Sequence, residues 1–195
     1  MEAQQNNQLA GEYYLKGVME TASGFKLNPD STFQFFFTYG ALDRYGEGTW
    51  AVKNKSIEFN SRKPPGRDFA LINSKKTDND SLTIKIIELN NFFLSHVYCM
   101  VKSGEKSTGQ VSNNEGLIRF PKQAADSLSL IFEFCPERVS VFSVSDSTHN
   151  YFEFRFEPWI MELFFSDFRL NIAGQDLEGP HPLLTGLVYH FIKNK

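Results

Sequence analysis

The chain has 195 residues, of which 41% are hydrophobic and 15% aromatic, which is enough to build a packed core and excludes a largely disordered chain. Its net charge of −3 argues against a nucleic-acid-binding protein, which normally presents a basic surface. No run approaches the roughly 20 apolar residues of a membrane-spanning helix. Phenylalanine occurs 20 times, and aromatic and β-branched residues favour pleated, half-buried surfaces, so we expect a protein rich in β-sheet.

Alternation of apolar and polar residues is the dominant pattern along the chain. Phe33, Phe35 and Phe37 would share one face of a strand, and Phe36 would lie on the other. The same period of two continues through residues 82–86, 128–134, 152–156 and 168–172. It predicts antiparallel strands with one face in a core and one in water. Turn signals at short spacing, such as Asn28-Pro29-Asp30 and Ser103-Gly104, favour a barrel or a sandwich.

A domain boundary is predicted near Glu88–Asn91, where two asparagines interrupt two apolar runs. This divides the chain into a β domain of residues 1–88 and a second β domain of residues 89–195. A single continuous β unit is the alternative.

The elements of a recurring meander lie between about residues 9 and 88. Gly11-Glu12-Tyr13 opens a strand, the turn Asn28-Pro29-Asp30 precedes Thr32-Phe33, and Gly48-Thr49-Trp50 ends a later strand. This order resembles bacterial lipocalin-like domains, and the stretch from Tyr39 to Trp50 is similar to a motif of bacterial proteins of unknown function. The resemblance implies a β-barrel that could hold a small apolar ligand.

The region from about residue 92 to residue 135 resembles a different architecture. The residues on which this resemblance rests are Val97–Val101, the turn near Gly104, Gly109–Val111 and Glu115–Pro121. They are similar to the transthyretin-like sandwich of carboxypeptidase regulatory modules, which implies a structural or adhesive role. The predicted fold class is therefore all-β, with an antiparallel lipocalin-like barrel or meander followed by a β-sandwich-like second half.

A candidate ligand site lies at the predicted mouth of the first domain, since loops at strand ends commonly carry binding groups. Asp43 and Arg44 would orient the polar end of a ligand, and aromatic side chains would cover its apolar part. The alternative is a tight hairpin in which Asp43 accepts backbone hydrogen bonds and Arg44 is solvated. The candidate residues are Phe35, Tyr39, Asp43, Arg44, Tyr45 and Trp50.

A second candidate group surrounds the rigid turn Pro64-Pro65-Gly66. Arg62, Lys63 and Arg67 flank this turn, and guanidinium groups suit carboxylates and phosphates. We therefore include Arg62 and Arg67 among the candidate ligand-binding residues. A solvated turn, helped by Asp68, is the alternative.

No catalytic residue, metal site or cofactor is predicted. The four histidines are scattered, and a zinc site needs several ligands that share one side. Asp146, Ser147 and His149 lie in one short turn, whereas the members of a catalytic triad converge from separate elements.

The cellular location stays open between cytoplasm and export. Met1–Gln8 lacks the basic and apolar regions of a signal peptide and is predicted to be a solvated leader. In the cytosol, Cys99 and Cys135 would be buried free thiols, and in an exported chain they could form one bridge.

Two function hypotheses follow from different classes. The first is a non-enzymatic binding protein for a small apolar or amphipathic ligand. The second is a structural or adhesion-type protein-interaction module whose barrel is filled by phenylalanine side chains. A third, a hydrolase, would require a histidine within hydrogen-bond reach of Asp43.

Overall fold

The computed structural model describes residues 7–186 and 188–194, and the predicted all-β fold is confirmed within them. The strands are β1 (Gly11–Lys16), β2 (Thr21–Leu27), β3 (Thr32–Tyr39), β4 (Leu42–Lys53), β5 (Ser56–Asn60), β6 (Phe69–Lys75), β7 (Ser81–Ile87), β8 (Val97–Ser103), β9 (Lys106–Val111), β10 (Leu117–Pro121), β11 (Ser127–Phe132), β12 (Ser140–Ser143), β13 (Tyr151–Phe156), β14 (Phe168–Ala173), β15 (Asp176–Gly179) and β16 (Tyr189–Lys193). A short 3₁₀ helix, Asn91–Ser95, precedes β8. No helix in the described ranges is long and apolar enough to cross a membrane. Met1–Asn6 of the predicted leader lie outside the described residues.

Two compact units divide the chain. The barrel unit combines Met1–Pro64 with Met161–Lys195, and the inserted unit is Pro65–Ile160. The boundary predicted near residue 88 lies after β7, within the inserted unit. The two divisions differ because the last three strands complete the sheet that the first five begin, and local sequence pattern carries no record of such remote pairing.

The barrel unit is a closed eight-stranded barrel in which every neighbouring pair is antiparallel. Its order is β1-β16-β15-β14-β5-β4-β3-β2. The first five strands form a meander, and β14 pairs with β5 while β16 pairs with β1. The two ends of the chain therefore close one barrel.

Alternation along β3 places its phenylalanines as predicted. Phe33, Phe35 and Phe37 are buried, with exposed fractions of 4% or less, whereas Phe36 is 39% exposed on the outer face. Along β4 the inward positions include Arg44, Gly46 and Trp50. Inner and outer faces of the barrel thus follow directly from the period of two.

Phenylalanine rings fill the barrel. The ring of Phe25 lies 4.7 Å from that of Phe59, 4.9 Å from Phe35 and 5.3 Å from Phe191, measured between centroids. Phe165, from the segment between the inserted unit and β14, lies 5.2 Å from Phe33. These are contact distances for aromatic pairs.

Gly46 makes room for Phe165. A Cβ atom at this position would lie 2.7 Å from Cε2 of Phe165 and 2.8 Å from the carbonyl oxygen of Leu163. Any side chain here would push the later segment away from β4.

The inserted unit contains two four-stranded sheets, with orders β10-β7-β13-β6 and β12-β11-β8-β9. Apolar side chains of the alternating strands are buried, among them Leu82, Ile84, Leu130 and Phe154. β13 runs parallel to β7, in contrast to the antiparallel pairing predicted from alternation. Alternation reports one covered face and one open face, and it does not report strand direction.

Both cysteines lie in the inserted unit as buried free thiols. Cys135 donates a hydrogen bond from Sγ to the carbonyl oxygen of Ile160, at 3.0 Å. Burial raises the pKa of Cys99 to about 12. The structure therefore contains the free thiols, not the bridge.

Two neighbouring phenylalanines test the packing of the barrel. We expect Phe35→Ala to lower the free energy of unfolding by about 3–5 kcal/mol, because it opens a cavity among packed rings. Phe36→Ala, on the exposed face of the same strand, should cost about 1 kcal/mol. Urea unfolding followed by circular dichroism measures both values, and equal losses would contradict the assignment of the two faces.

Candidate functional site

The six candidate residues between Phe35 and Trp50 lie on strands. β3 ends at Tyr39, Gly40 and Ala41 form the turn, and β4 begins at Leu42. Asp43 and Arg44 are consecutive residues of β4, so Asp43 is exposed and Arg44 is buried inside. They cannot both face one end of a ligand, because consecutive strand residues point to opposite faces.

The remaining candidates divide in the same way. Phe35 and Trp50 are buried in the barrel core, and Trp50 donates its indole N–H to the carbonyl oxygen of Asn28, at 3.1 Å. Tyr39 and Tyr45 are exposed at 52% and 46%. The structure thus does not bring the six predicted residues together at one barrel mouth.

Arg44 is held by the segment that follows the inserted unit. Its Nε donates to the carbonyl oxygen of Met161, at 3.1 Å. Tyr45 forms a parallel bridge with Glu162, and the Leu163 amide donates to the carbonyl oxygen of Tyr45, at 2.7 Å. The buried guanidinium therefore sits where two remote parts of the barrel unit meet.

Arg62 pairs with Glu162, a buried carboxylate that the sequence analysis missed. The Nη2 atom of Arg62 lies 2.5 Å from Oε2 of Glu162, and its Cζ lies 5.4 Å from the centre of the Phe164 ring. A charge within the apolar run 159–165 was the available signal. Arg62, one of the two arginines predicted to bind an anionic ligand, is therefore already paired with a carboxylate of the protein.

Arg67 belongs to the inserted unit and is also engaged by protein groups. Its Nη1 donates to the carbonyl oxygen of Val141, at 3.0 Å, and its Cζ lies 4.3 Å from the centre of the Phe142 ring. The side chain lines an open groove of about 540 Å³ that Trp159 also lines. Arg62 and Arg67 therefore fall in different units.

A serine and a histidine meet inside the barrel. Nε2 of His181 lies 3.0 Å from Oγ of Ser23, and the Leu183 and Leu184 amides both donate to Nδ1 of His181. The proton of the imidazole must therefore be on Nε2, which donates to Ser23, while the Ser23 hydroxyl donates to the carbonyl oxygen of Phe36. A general base would need a lone pair on Nε2, so this pair is built for structure and not for nucleophilic catalysis.

The outer face of β1–β4 carries two parallel rows of side chains. The aromatic row consists of Tyr14, Gly24, Phe36 and Tyr45, which are cross-strand partners in that order. The polar row consists of Glu12, Lys26, Gln34 and Glu47, again partners across the same four strands. Each row takes one residue from each strand.

The three rings of the aromatic row remain open to solvent. Tyr14 is 42% exposed, Phe36 39% and Tyr45 46%. The ring of Phe36 lies beside Gly24, where a Cβ would be 3.0 Å from its Cε1, and meets the ring of Tyr14 edge-on at 6.1 Å. Sequence alternation identified Phe36 as the outward phenylalanine, whereas the alignment with Tyr14 needed the strand register.

The polar row offers hydrogen-bonding groups at its surface. Tyr14 donates to Oε2 of Glu12 at 2.7 Å, and this hydrogen bond raises the pKa of Tyr14. Nζ of Lys26 lies 3.8 Å from Oε1 of Glu12. Within the described residues, the side chains of Gln34 and Glu47 make no hydrogen bond. These two groups are therefore available to a ligand.

Comparison with protein-family models, with curated proteins and with solved structures yields no match. Within the described ranges, no group of three or more His, Cys, Asp or Glu side chains is placed to hold a metal ion. The site must therefore be interpreted from its own chemistry.

The buried His181 predicts a specific loss of stability in acid. Burial lowers its pKa from 6.5 to about 4 in the folded chain. Between these values the unfolded chain takes up a proton that the folded chain does not, so the free energy of unfolding falls as the pH drops from 6.5 to 4. The loss reaches at most about 3 kcal/mol.

The matched variant is His181→Gln, which removes the titrating group. Urea unfolding across this pH range should show a smaller decline for the variant than for the wild type. Identical slopes in the two proteins would contradict a neutral, buried His181.

Proposed function

We propose that this chain is a non-enzymatic, adhesion-type binding module with a filled barrel, and that its contact surface is the outer face of β1–β4. The observation that carries the proposal is the exposed aromatic row on that face. The prediction of a ligand inside or at the mouth of the barrel is the competing proposal.

Exposure of three aligned aromatic rings supports a contact surface. Tyr14, Phe36 and Tyr45 belong to one cross-strand row, so they are neighbours on one face of the sheet and not scattered single residues. Contiguous apolar patches rimmed by polar residues mark interaction sites. Aromatic side chains also supply large contact area with little loss of conformational entropy.

Packing of the barrel interior argues against an internal ligand. Phe35 lies 5.4 Å from Phe165 and 4.9 Å from Phe25, so a molecule between these rings would have to displace them. A lipocalin-like function needs an internal cavity, and two of the residues proposed for it, Phe35 and Trp50, are core residues here. The filled interior therefore favours recognition on the outside.

Partners of the histidines weigh against the hydrolase hypothesis. His96 lies 3.0 Å from Glu133, His149 3.0 Å from Ser74, and His190 3.8 Å from Glu178. His181 bonds Ser23 inside the barrel, while Asp43 is on its outer face. The hydrolase would require a histidine bonded to Asp43, and these four have other partners.

Native mass spectrometry of gently purified protein, followed by solvent extraction, tests the proposal. We expect the mass of the chain alone, because packed rings occupy the interior. A stoichiometric extra mass of small-molecule size that is lost on extraction would contradict the filled barrel and favour the internal-ligand proposal. The variant Phe35→Ala, which opens space inside, is the matched control for uptake of added fatty acid.

A further inference from the structure

The spacing of the two rows defines an extended recognition surface. They lie two residues apart along each strand, which corresponds to about 6.6 Å. Each row crosses four strands at about 4.8 Å per step, or roughly 14 Å in total. A ligand that contacts both rows must therefore present an apolar surface to one row and polar groups to the other, about 6.6 Å away.

Hydrogen-bond acceptors and donors are interspersed along the polar row. Glu12 and Glu47 accept hydrogen bonds, Lys26 donates them, and the Gln34 amide does both. A pyranose ring has the complementary character, since its C–H faces are apolar and its hydroxyl groups both donate and accept. Ring faces of the aromatic row would cover the C–H faces while the polar row takes the hydroxyls.

Two adjoining grooves provide the space. One of about 230 Å³ is lined by Tyr14, Phe36, Glu12, Lys26 and Gln34. The second, of about 420 Å³, is lined by Gln34 together with Thr32, Glu47, Thr49 and Arg62. Gln34 lines both grooves, so the two grooves adjoin along the polar row, which extends over about 14 Å.

Charge at this surface disfavours anionic ligands. The polar row contains two carboxylates and one ammonium group, and that ammonium group lies 3.8 Å from Glu12. Arg62, which lines the second groove, is paired with Glu162. With this pair included, three carboxylates face two cations, so a phosphate, an acidic sugar or an anionic lipid would still meet net repulsion here. Neutral polyols avoid this repulsion and have the apolar faces and hydroxyl groups that match the two rows.

Strand pairing disfavours an extended peptide. Such a peptide binds by adding to an open sheet edge. β2 and β3 each have a paired strand on both sides, so their backbone groups are already bonded within the barrel. Recognition here must proceed through side chains.

We propose that the outer face of β1–β4 binds a neutral oligosaccharide. Tyr14, Phe36 and Tyr45 stack on sugar rings, and Glu12, Gln34 and Glu47 bond their hydroxyl groups. This assignment rests on the proposed function, which makes that face the contact surface.

Affinity electrophoresis and calorimetry of the whole chain test the assignment. The probes are neutral gluco-, xylo-, manno- and galacto-oligosaccharides, with a uronic-acid oligosaccharide as the charged comparison. We expect binding of at least one neutral probe and none of the charged one. Tyr45→Ala and Gln34→Ala should each weaken that binding about tenfold, as the loss of one good contact does.

A matched control separates the site from the fold. Val141→Ala removes an exposed apolar side chain of β12 in the inserted unit and should leave binding unchanged. Circular dichroism confirms that each variant is folded. Binding that survives both Tyr45→Ala and Gln34→Ala would overturn the assigned site.

The remaining outcomes distinguish the two proposals. If no neutral probe binds while the native mass is that of the chain alone, the oligosaccharide assignment is wrong and the proposed function stands. Peptides selected by phage display that need Tyr45 for binding would also overturn the oligosaccharide assignment and would identify a protein partner. A small molecule extracted from the barrel would overturn the proposed function itself.

Discussion

Close packing of phenylalanine rings is the constraint on which the barrel unit depends. Phe33 and Phe35 come from the first meander, whereas Phe165 and Phe191 come from beyond the inserted unit. Their contacts join the two ends of the chain into one closed sheet. Gly46 leaves the room that Phe165 needs. Burial of several rings together supplies the main favourable free energy for bringing such distant segments into contact.

A filled interior favours the proposed recognition on the outer surface. The alternation that places Phe35 in the core places Phe36 in solvent, and the strand register then aligns Phe36 with Tyr14 and Tyr45. Exposed aromatics cost solubility, so a row of them beside a row of hydrogen-bonding groups has the character of a binding surface. Fold and proposed function therefore follow from the same pattern of residues.

Local pattern predicted the strands and their faces, including the outward position of Phe36. It did not predict that β14 and β16 complete the barrel, because pairing between remote strands is decided by packing of the whole core. The prediction of the candidate site was incomplete for the same reason. Arg44 was interpreted as a group near a barrel mouth, whereas its guanidinium is buried against Met161, a residue that lies 117 positions later in the chain. Glu162 stands out in the sequence as a charge within an apolar run, but its pairing with Arg62 is decided by contact between segments 100 positions apart.

Ring-to-ring nuclear Overhauser effects test the central claim most directly. In protein with isotope-labelled phenylalanine, we predict cross-peaks between Phe33 and Phe165, whose centroids are 5.2 Å apart, and between Phe25 and Phe191, at 5.3 Å. These cross-peaks would show that the two ends of the chain pack one filled core. Their absence, with cross-peaks from these rings to a bound small molecule instead, would contradict the filled barrel and return recognition to its interior.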